Sequence, residues 1–475
     1  MDYRKEIENY IEGHKQEMVE DVCALCRINS EKQPYEEGKP YGRGVYQALE
    51  TALSMAEKYG FSIRNYDAYV GTADLNDGEK CLDILAHLDV VPAGEGWKET
   101  EAFEPIAKNG RIYGRGTADD KGPAVAALYA MRAVKELGIP VTKNVRLILG
   151  TDEECGSSDI VHYYEVEEEA PMTFSPDAEF PVVNTEKGRL EGHFTAEWKE
   201  DQTLPRLCSV HAGTKINVLP GKAEAVIQGL SKEVLEQAAK AAEEKTGIRL
   251  EMEYRDFTAA ADDTMVTITA IGKGAHAASP EEGNNALTGL VTFINSLPLH
   301  ESGAVKALKA LGELMPHGDL YGKNLGVAME DEISGKLTLV FSMLEVTEKG
   351  LEGWFDSRCS VCATDENMRQ KVKANMEAKG IHFLSQSMLP PHHVDEDSRF
   401  IKTLLCVYEE YTGRKGECQS IGGGTYVHKL KNGVAFGAAM PGTENCMHGA
   451  DEFAVIDELA LSAKIFAQVI VELCR

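Results

Sequence analysis

The chain has 475 residues, 43% hydrophobic and 27% charged. That is too long for one ordinary core and points to two domains or more of normal globular composition. Its 49 basic and 77 acidic residues give a formal charge of −28, which argues against nucleic acid or an anionic membrane as main partner, because both need a positive field.

The N-terminal MDYRKEIENYIEGHKQEM is charged throughout and lacks the apolar core of a secretory signal. No segment approaches the roughly 18 uninterrupted apolar residues of a spanning helix. The 11 cysteines are scattered and odd in number, unlike a secreted disulfide framework, and a reducing cytoplasm is expected. Two CxxC spacings occur, Cys23–Cys26 and Cys359–Cys362. The first lies on the packed face of a helix. The second lies in an expected strand, WFDSRCSVCA, where residues three apart point to opposite faces. Both pairs read as structural cysteines.

In chain order, periodicity predicts helices over 3–28 and 43–59, the latter stopped at Gly60. CLDILAHLDVV reads as a buried strand. Pro123 then opens the helix AVAALYAMRAVKELG, and NVRLILG is a second core strand that runs into Thr151-Asp152-Glu153-Glu154. Strand, helix and strand at this spacing give a βαβ unit, hence an α/β domain with a mostly parallel sheet and flanking helices. From about 187 the texture changes. GRLEGHFTAEW, TMVTITAIG and KLTLVFSML read as strands, with a surface helix SKEVLEQAAKAAEEKTG between them. This predicts an inserted α+β lid domain over 187–381. Residues 1–186 and 382–475 then form one catalytic domain, completed by a helix over 401–412, the GVAFGAAMPG strand and the amphipathic tail 456–474.

Acidic and imidazole side chains collect at the strand ends: His87 and Asp89 in AHLDVVP, Asp119 and Asp120 in GRGTADDKGP, Glu153 and Glu154 in GTDEECGSSD, Asp177 in SPDAEFP and His448 in MHGADE. Ligands of parallel sheets sit beyond the carboxyl ends of the strands. Singly, each of these is a solvated turn, a helix cap or a satisfied core histidine. Jointly, an unpaired buried charge at several strand ends would be costly, and a metal site explains all of them. His87, Asp119, Glu154, Asp177 and His448 suffice for two divalent ions, with one carboxylate bridging and one histidine plus one carboxylate added to each. Glu153 beside the ligand Glu154 has the placement of a general base. Asp89 lies two residues from His87 on the same strand face and is placed to orient the imidazole. Such ligands suit zinc, manganese or cobalt.

HLDVVPAGEGW, YGRGTADDKGP, TDEECGSSD, SPDAEFP and MHGADE together resemble the co-catalytic di-zinc metallopeptidase family of aminoacylases, carboxypeptidase G and dipeptidases. The match runs in order along the whole chain, and the long insertion is most similar to the bacterial Xaa-His (β-Ala-Xaa) dipeptidase branch. The resemblance implies His87 and Asp177 on one ion, Glu154 and His448 on the other and Asp119 bridging, with a cis Asp119–Asp120 peptide. It implies Glu153 as general base and Asp89 as the orienting residue. From the insertion it implies His276, in GKGAHAASP, as the group that stabilises the oxyanion. Asn217 in INVLPG is implied as an amide contact and Arg358 in FDSR as the fork for a terminal carboxylate. The glycines of Gly422–Tyr426, Gly423 and Gly424 among them, either offer N–H groups to the same carboxylate or form a tight turn that needs no ligand. The usual tyrosine-proline after the arginine is absent, since the chain reads Arg358-Cys359-Ser360. His392 and His393 are outside the family's ligand set and read as surface loop.

The reading is a metal-dependent dipeptidase that hydrolyses short peptides. The enlarged insertion would supply the whole roof from one chain, implying a monomer. An N-acyl-amino acid deacylase uses the same metals and base and differs in the amine-side pocket. A non-catalytic binding protein would show loss of a ligand or of the base, and all six residues are present.

Overall fold

The computed structural model describes residues 3–255 and 265–475. Thr264, the first residue of the expected TMVTITAIG strand, lies outside them; the strand covers Met265–Ile271. The chain divides into two compact units, Met1–Thr185 with His393–Arg475, and Glu186–His392.

The sheet of the first unit is parallel at its centre. Lys80–His87 runs parallel to both Asn144–Gly150 and Met172–Ser175, and Gly433–Ala435 runs parallel to Met172–Ser175. Outside these, Val70–Asp74, Ser62–Tyr66 and Val182–Glu186 join antiparallel. The α/β class therefore stands, with antiparallel strands added on both sides of a parallel core. Lys80–His87 is buried along nearly its whole length rather than on alternate residues, as a central strand covered on both faces must be. The helices Arg4–Cys26, Lys121–Glu136 and Ile456–Cys474 share one apolar core with that strand. Pro123 sits in the first turn of Lys121–Glu136, and Gly138 at φ +63° follows its end, the residues expected at a helix start and stop. Cys23 and Cys26 both lie in this core.

The second unit is built on an eight-stranded sheet. Its spatial order is Arg249–Arg255, Met265–Ile271, Lys222–Gln228, Arg206–Ala212, Thr338–Val346, Gly350–Cys359, Gly188–Glu197 and His382–Phe383. Neighbours pair antiparallel throughout. Gly188–Glu197 alternates buried and more exposed residues, the pattern of a sheet with one face on the core. The helices Lys232–Thr246, Ala286–Ser296 and Gly303–Leu314 pack in the same core. Among the described residues no helix is long and apolar enough to cross a membrane.

Two local expectations change. The strand Gly350–Cys359 ends at its cysteine, and Cys362 is exposed in the turn beyond it; the pair is separated by a strand end rather than by two faces of one strand. His392 and His393 are not surface loop. They form a two-residue strand beside Val182–Glu186, His392 is buried, and the His393 Nδ1 lies 2.8 Å from the Thr185 hydroxyl.

Candidate active site

Three adjacent parallel strands end on one rim of the first unit's sheet. His87 closes Lys80–His87 and pairs in register with Gly150, which closes the next strand, while Met172–Ser175 flanks the other side. The chain leaves Gly150 into the short turn Glu153–Cys155 and leaves Ser175 toward Asp177. Glu153, Glu154 and Asp177 thus arrive beside His87 because parallel strands share a direction. Asp119 and Asp120 arrive on the loop before Lys121–Glu136, joined by a cis peptide. His448 comes from a C-terminal loop in which Cys446, His448 and Asp451 all have positive φ.

The side chains interlock around Asp119. One of its carboxylate oxygens lies 2.9 Å from His87 Nε2 and the other 2.9 Å from His448 Nε2. His87 Nε2 is also 3.7 Å from Asp177, and His448 Nε2 is 3.2 Å from Glu154. Ligand atoms of His87, Asp119 and Glu154 fall within 4.8 Å of one another, and so do those of His87, Glu153 and Asp177. The structure therefore brings together all five residues expected to hold cations, and Glu153 with them.

This donor set fits divalent cations. His87 Nε2 and Glu154 Oε1 are buried, yet neither has a hydrogen-bond partner among the described residues; the 2.9 Å approach of His87 to Asp119 is an ion-pair distance without hydrogen-bond geometry. A buried polar atom left so is costly unless something else satisfies it. Each oxygen of Asp119 facing a different imidazole is the arrangement of a bridging carboxylate. The buried cations nearby are directed elsewhere. Arg115 pairs with Glu452 at 2.5 Å, and Lys121 donates to the carbonyls of Leu25 and Ile28.

The protonation equilibria carry the same message. Burial, then the neighbouring carboxylates Glu154, Asp89 and Asp119, push Glu153 up to about 8, against the pull of His87. Burial and Asp119 hold Asp177 well above the ordinary carboxylate range, and the same two causes raise Asp120. Asp119 is buried too, but the imidazoles of His448 and His87, each 2.9 Å from one of its oxygens, override that and lower it. The carboxylates of Asp119 and Glu154, close to its Nε2, carry His448 up to about 10. A crowd of buried carboxylates with this much mutual repulsion is what nearby positive charge relieves.

The turn is fixed by carboxylates that sequence reasoning placed differently or missed. Asp89 does not primarily hold the imidazole with its side chain. His87 Nδ1 is 3.0 Å from the Asp89 backbone carbonyl and 3.5 Å from its carboxylate. The two carboxylate oxygens instead accept the N–H groups of Glu153 and Glu154, each at 3.1 Å. Asp120, fully buried, accepts the N–H of His87 at 3.1 Å. Glu452 accepts the N–H groups of Gly116, Ala118 and Asp119 at 3.0, 2.9 and 3.3 Å and so ties the loop of one ligand to the segment that carries His448. The only sequence signal for Glu452 was its place at the end of MHGADE.

The second unit holds the other expected residues in one neighbourhood. Val218 pairs with His276, and the Ala277 N–H donates to the Asn217 carbonyl at 3.0 Å. Thr338, opposite Arg358 in the sheet, donates its hydroxyl to the Ala277 carbonyl at 3.1 Å. His276 is exposed; partial burial and then the charge of Arg358 lower its pKa. Arg358 is buried and gripped by Asp356, at 2.7 Å to Nε and 3.1 Å to a terminal nitrogen, which sets the plane of its guanidinium. Of the glycines in the first unit, Gly423 is exposed with open space where a Cβ would stand, and Gly424 is exposed as well; packing does not require the glycine at 423.

A sequence profile of Peptidase family M20/M25/M40 matches residues 84–472. The protein YtjP of Bacillus subtilis (strain 168) is 36% identical over 466 residues, 97% of this chain and 98% of that one. A Beta-Ala-Xaa dipeptidase of Lactobacillus delbrueckii subsp. lactis is 35% identical over 468 residues, 98% of this chain and 97% of that one. Among solved structures, human carnosine dipeptidase 1 aligns with a TM-score of 0.60 at 14% identity, covering 100% of this chain and 99% of that one.

Proposed function

The chain belongs to Peptidase family M20/M25/M40, and from that premise we propose that it hydrolyses dipeptides at a site holding two divalent cations. The observation that carries the reading is Asp119 with one oxygen on each imidazole, 2.9 Å from both. We assign His87 and Asp177 to one cation, Glu154 and His448 to the other, and Asp119 to both. Zinc suits two imidazoles with carboxylates best, and manganese or cobalt can take the same set.

Such cations supply Lewis acidity, which polarises a carbonyl and makes a water acidic near neutral pH. The protein's share is proton handling and alignment. Glu153 takes the proton from the attacking water and returns it to the leaving amine. Its high proton affinity suits the second half of that task, and positive charge nearby suits the first. Asp89 fixes both glutamates through their backbone N–H groups. Asn217, His276 and Arg358 are the substrate contacts we assign in the second unit, with Arg358 on the terminal carboxylate. The glycines Gly423 and Gly424 would add N–H donors to that carboxylate. Eleven cysteines, all free, suit a reducing compartment, and we take the working form to be a monomer of 52.0 kDa.

The name of the Lactobacillus relative suggests β-alanyl dipeptides as first substrates. Metal-stripped protein given zinc, manganese or cobalt is expected to cleave free dipeptides and to leave N-acetyl and N-succinyl amino acids intact. Turnover of the acylated set alone makes the enzyme a deacylase.

A further inference from the structure

Behind the candidate ligands lies a buried pair that the dipeptidase reading does not use. The Tyr426 hydroxyl donates to Asp159, and Asp159 also accepts the N–H groups of Thr151 and Asp152, at 2.5 and 3.1 Å. Tyr426 and Asp159 are both buried, and the Tyr426 ring stands edge-on to His87 with centroids 6.3 Å apart. Together with Asp89, this gives the turn an unusual construction. Four consecutive backbone N–H groups, from Thr151 through Glu154, are accepted by two buried carboxylates, the first two by Asp159 and the last two by Asp89.

The environment has room for the tyrosine only because the strand ends in glycine. A Cβ on Gly150 would stand 2.2 Å from the Tyr426 hydroxyl oxygen. The same turn is braced from its other side. Asp152 binds Lys32 at 2.6 Å and the Ser158 hydroxyl at 2.6 Å. A carboxylate that accepts backbone N–H groups holds that backbone strongly, and the phenol fixes which rotamer Asp159 adopts to do so. Tyr426 closes the Gly422–Tyr426 segment, so one hydroxyl links the glycine loop to the turn that bears Glu153 and Glu154.

We infer that Tyr426 and Asp159 are positioning residues that set the placement of Glu154 as a ligand and of Glu153 as a base. The inference rests on the two-cation reading for its ligand and on the dipeptidase reading only for its kinetic half. A structural hydroxyl in the core would affect the whole unit alike. A positioning hydroxyl affects one cation, the one that Glu154 holds, and affects turnover without affecting substrate affinity.

The test is calorimetric titration of metal-stripped Tyr426→Phe with manganese, set beside steady-state hydrolysis of a β-alanyl dipeptide. One of the two equivalents is expected to weaken at least about fivefold while the other stays within twofold; kcat is expected to fall about tenfold with KM within twofold. Asp159→Asn, which keeps an acceptor oxygen, is expected to show the same split more weakly and serves if the first variant does not fold. Two unchanged equivalents with unchanged kcat overturn the inference, and so does an equal weakening of both. If the wild type binds two cations and cleaves no dipeptide, the assigned reaction fails while the titration still decides the role of Tyr426.

Discussion

The side chains assigned to chemistry in the first unit and those assigned to substrate in the second are held in different ways. His87, Asp119 and Asp120 are buried, and backbone N–H groups fix Asp89, Asp120 and Glu452 around them. In the second unit His276 is exposed on a two-residue strand, and Arg358 is gripped side chain to side chain by Asp356. Burying charge demands compensation, so the first arrangement has few alternatives and the cation reading follows from it. An exposed histidine demands nothing, so its role has to come from function.

The comparison breaks most visibly at Glu153. Glu153→Gln keeps shape and cation binding but removes the proton acceptor, and kcat is expected to fall about 10³-fold. Retention of both cations by calorimetry, with that loss, separates the base from the ligands; full hydrolysis by the variant sinks the assignment. In the second unit, Arg358→Lys leaves a charge and removes the fork. KM for a dipeptide is expected to rise about 10–100-fold with kcat little changed. An unchanged KM would remove Arg358 from the substrate.

Asp83 tests whether burial alone produces the proton affinities of the first unit. It lies on the same strand as His87, and burial pushes it up to about 7 although Lys80 and Arg146 pull the other way. Its pKa in the folded chain is above the unfolded value. The stability it contributes is therefore complete below the ordinary value of 3.8 and is lost as pH rises toward 7. Asp83→Asn removes that loss. Urea unfolding at pH 8 is expected to show the variant more stable by about 1–2 kcal/mol, less than the roughly 4 kcal/mol of a rigid shift, with the difference vanishing near pH 4. A variant no more stable at pH 8 than the wild type would mean that Asp83 is already compensated as a charge.

How far the sequence could be read follows from the same contrast. Strands buried on both faces, such as Lys80–His87, announce themselves as apolar runs, and the acidic residues interrupting their ends are conspicuous for that reason. The parallel centre of the sheet followed from the strand, helix and strand around Lys121–Glu136. Its antiparallel margins did not, because Ser62–Tyr66 is largely exposed and carries no comparable run. Asp159 and Glu452 escaped because they accept backbone N–H groups, and Tyr426 because it acts through Asp159; such partners can sit at any sequence distance. His392–His393 escaped because two residues are too few for any periodicity. The role of Asp89 was half legible: its position on the His87 face was clear, while its grip on Glu153 and Glu154 depends on how the next strand's turn folds back.

The central claim is that two cations share Asp119. Anomalous scattering from crystals grown with zinc tests it directly. Two peaks roughly 3.5–4 Å apart are predicted, each about 2.0–2.2 Å from one oxygen of Asp119, with His87 and Asp177 completing one and His448 and Glu154 the other. A single peak, or a pair that leaves Asp119 out, contradicts it.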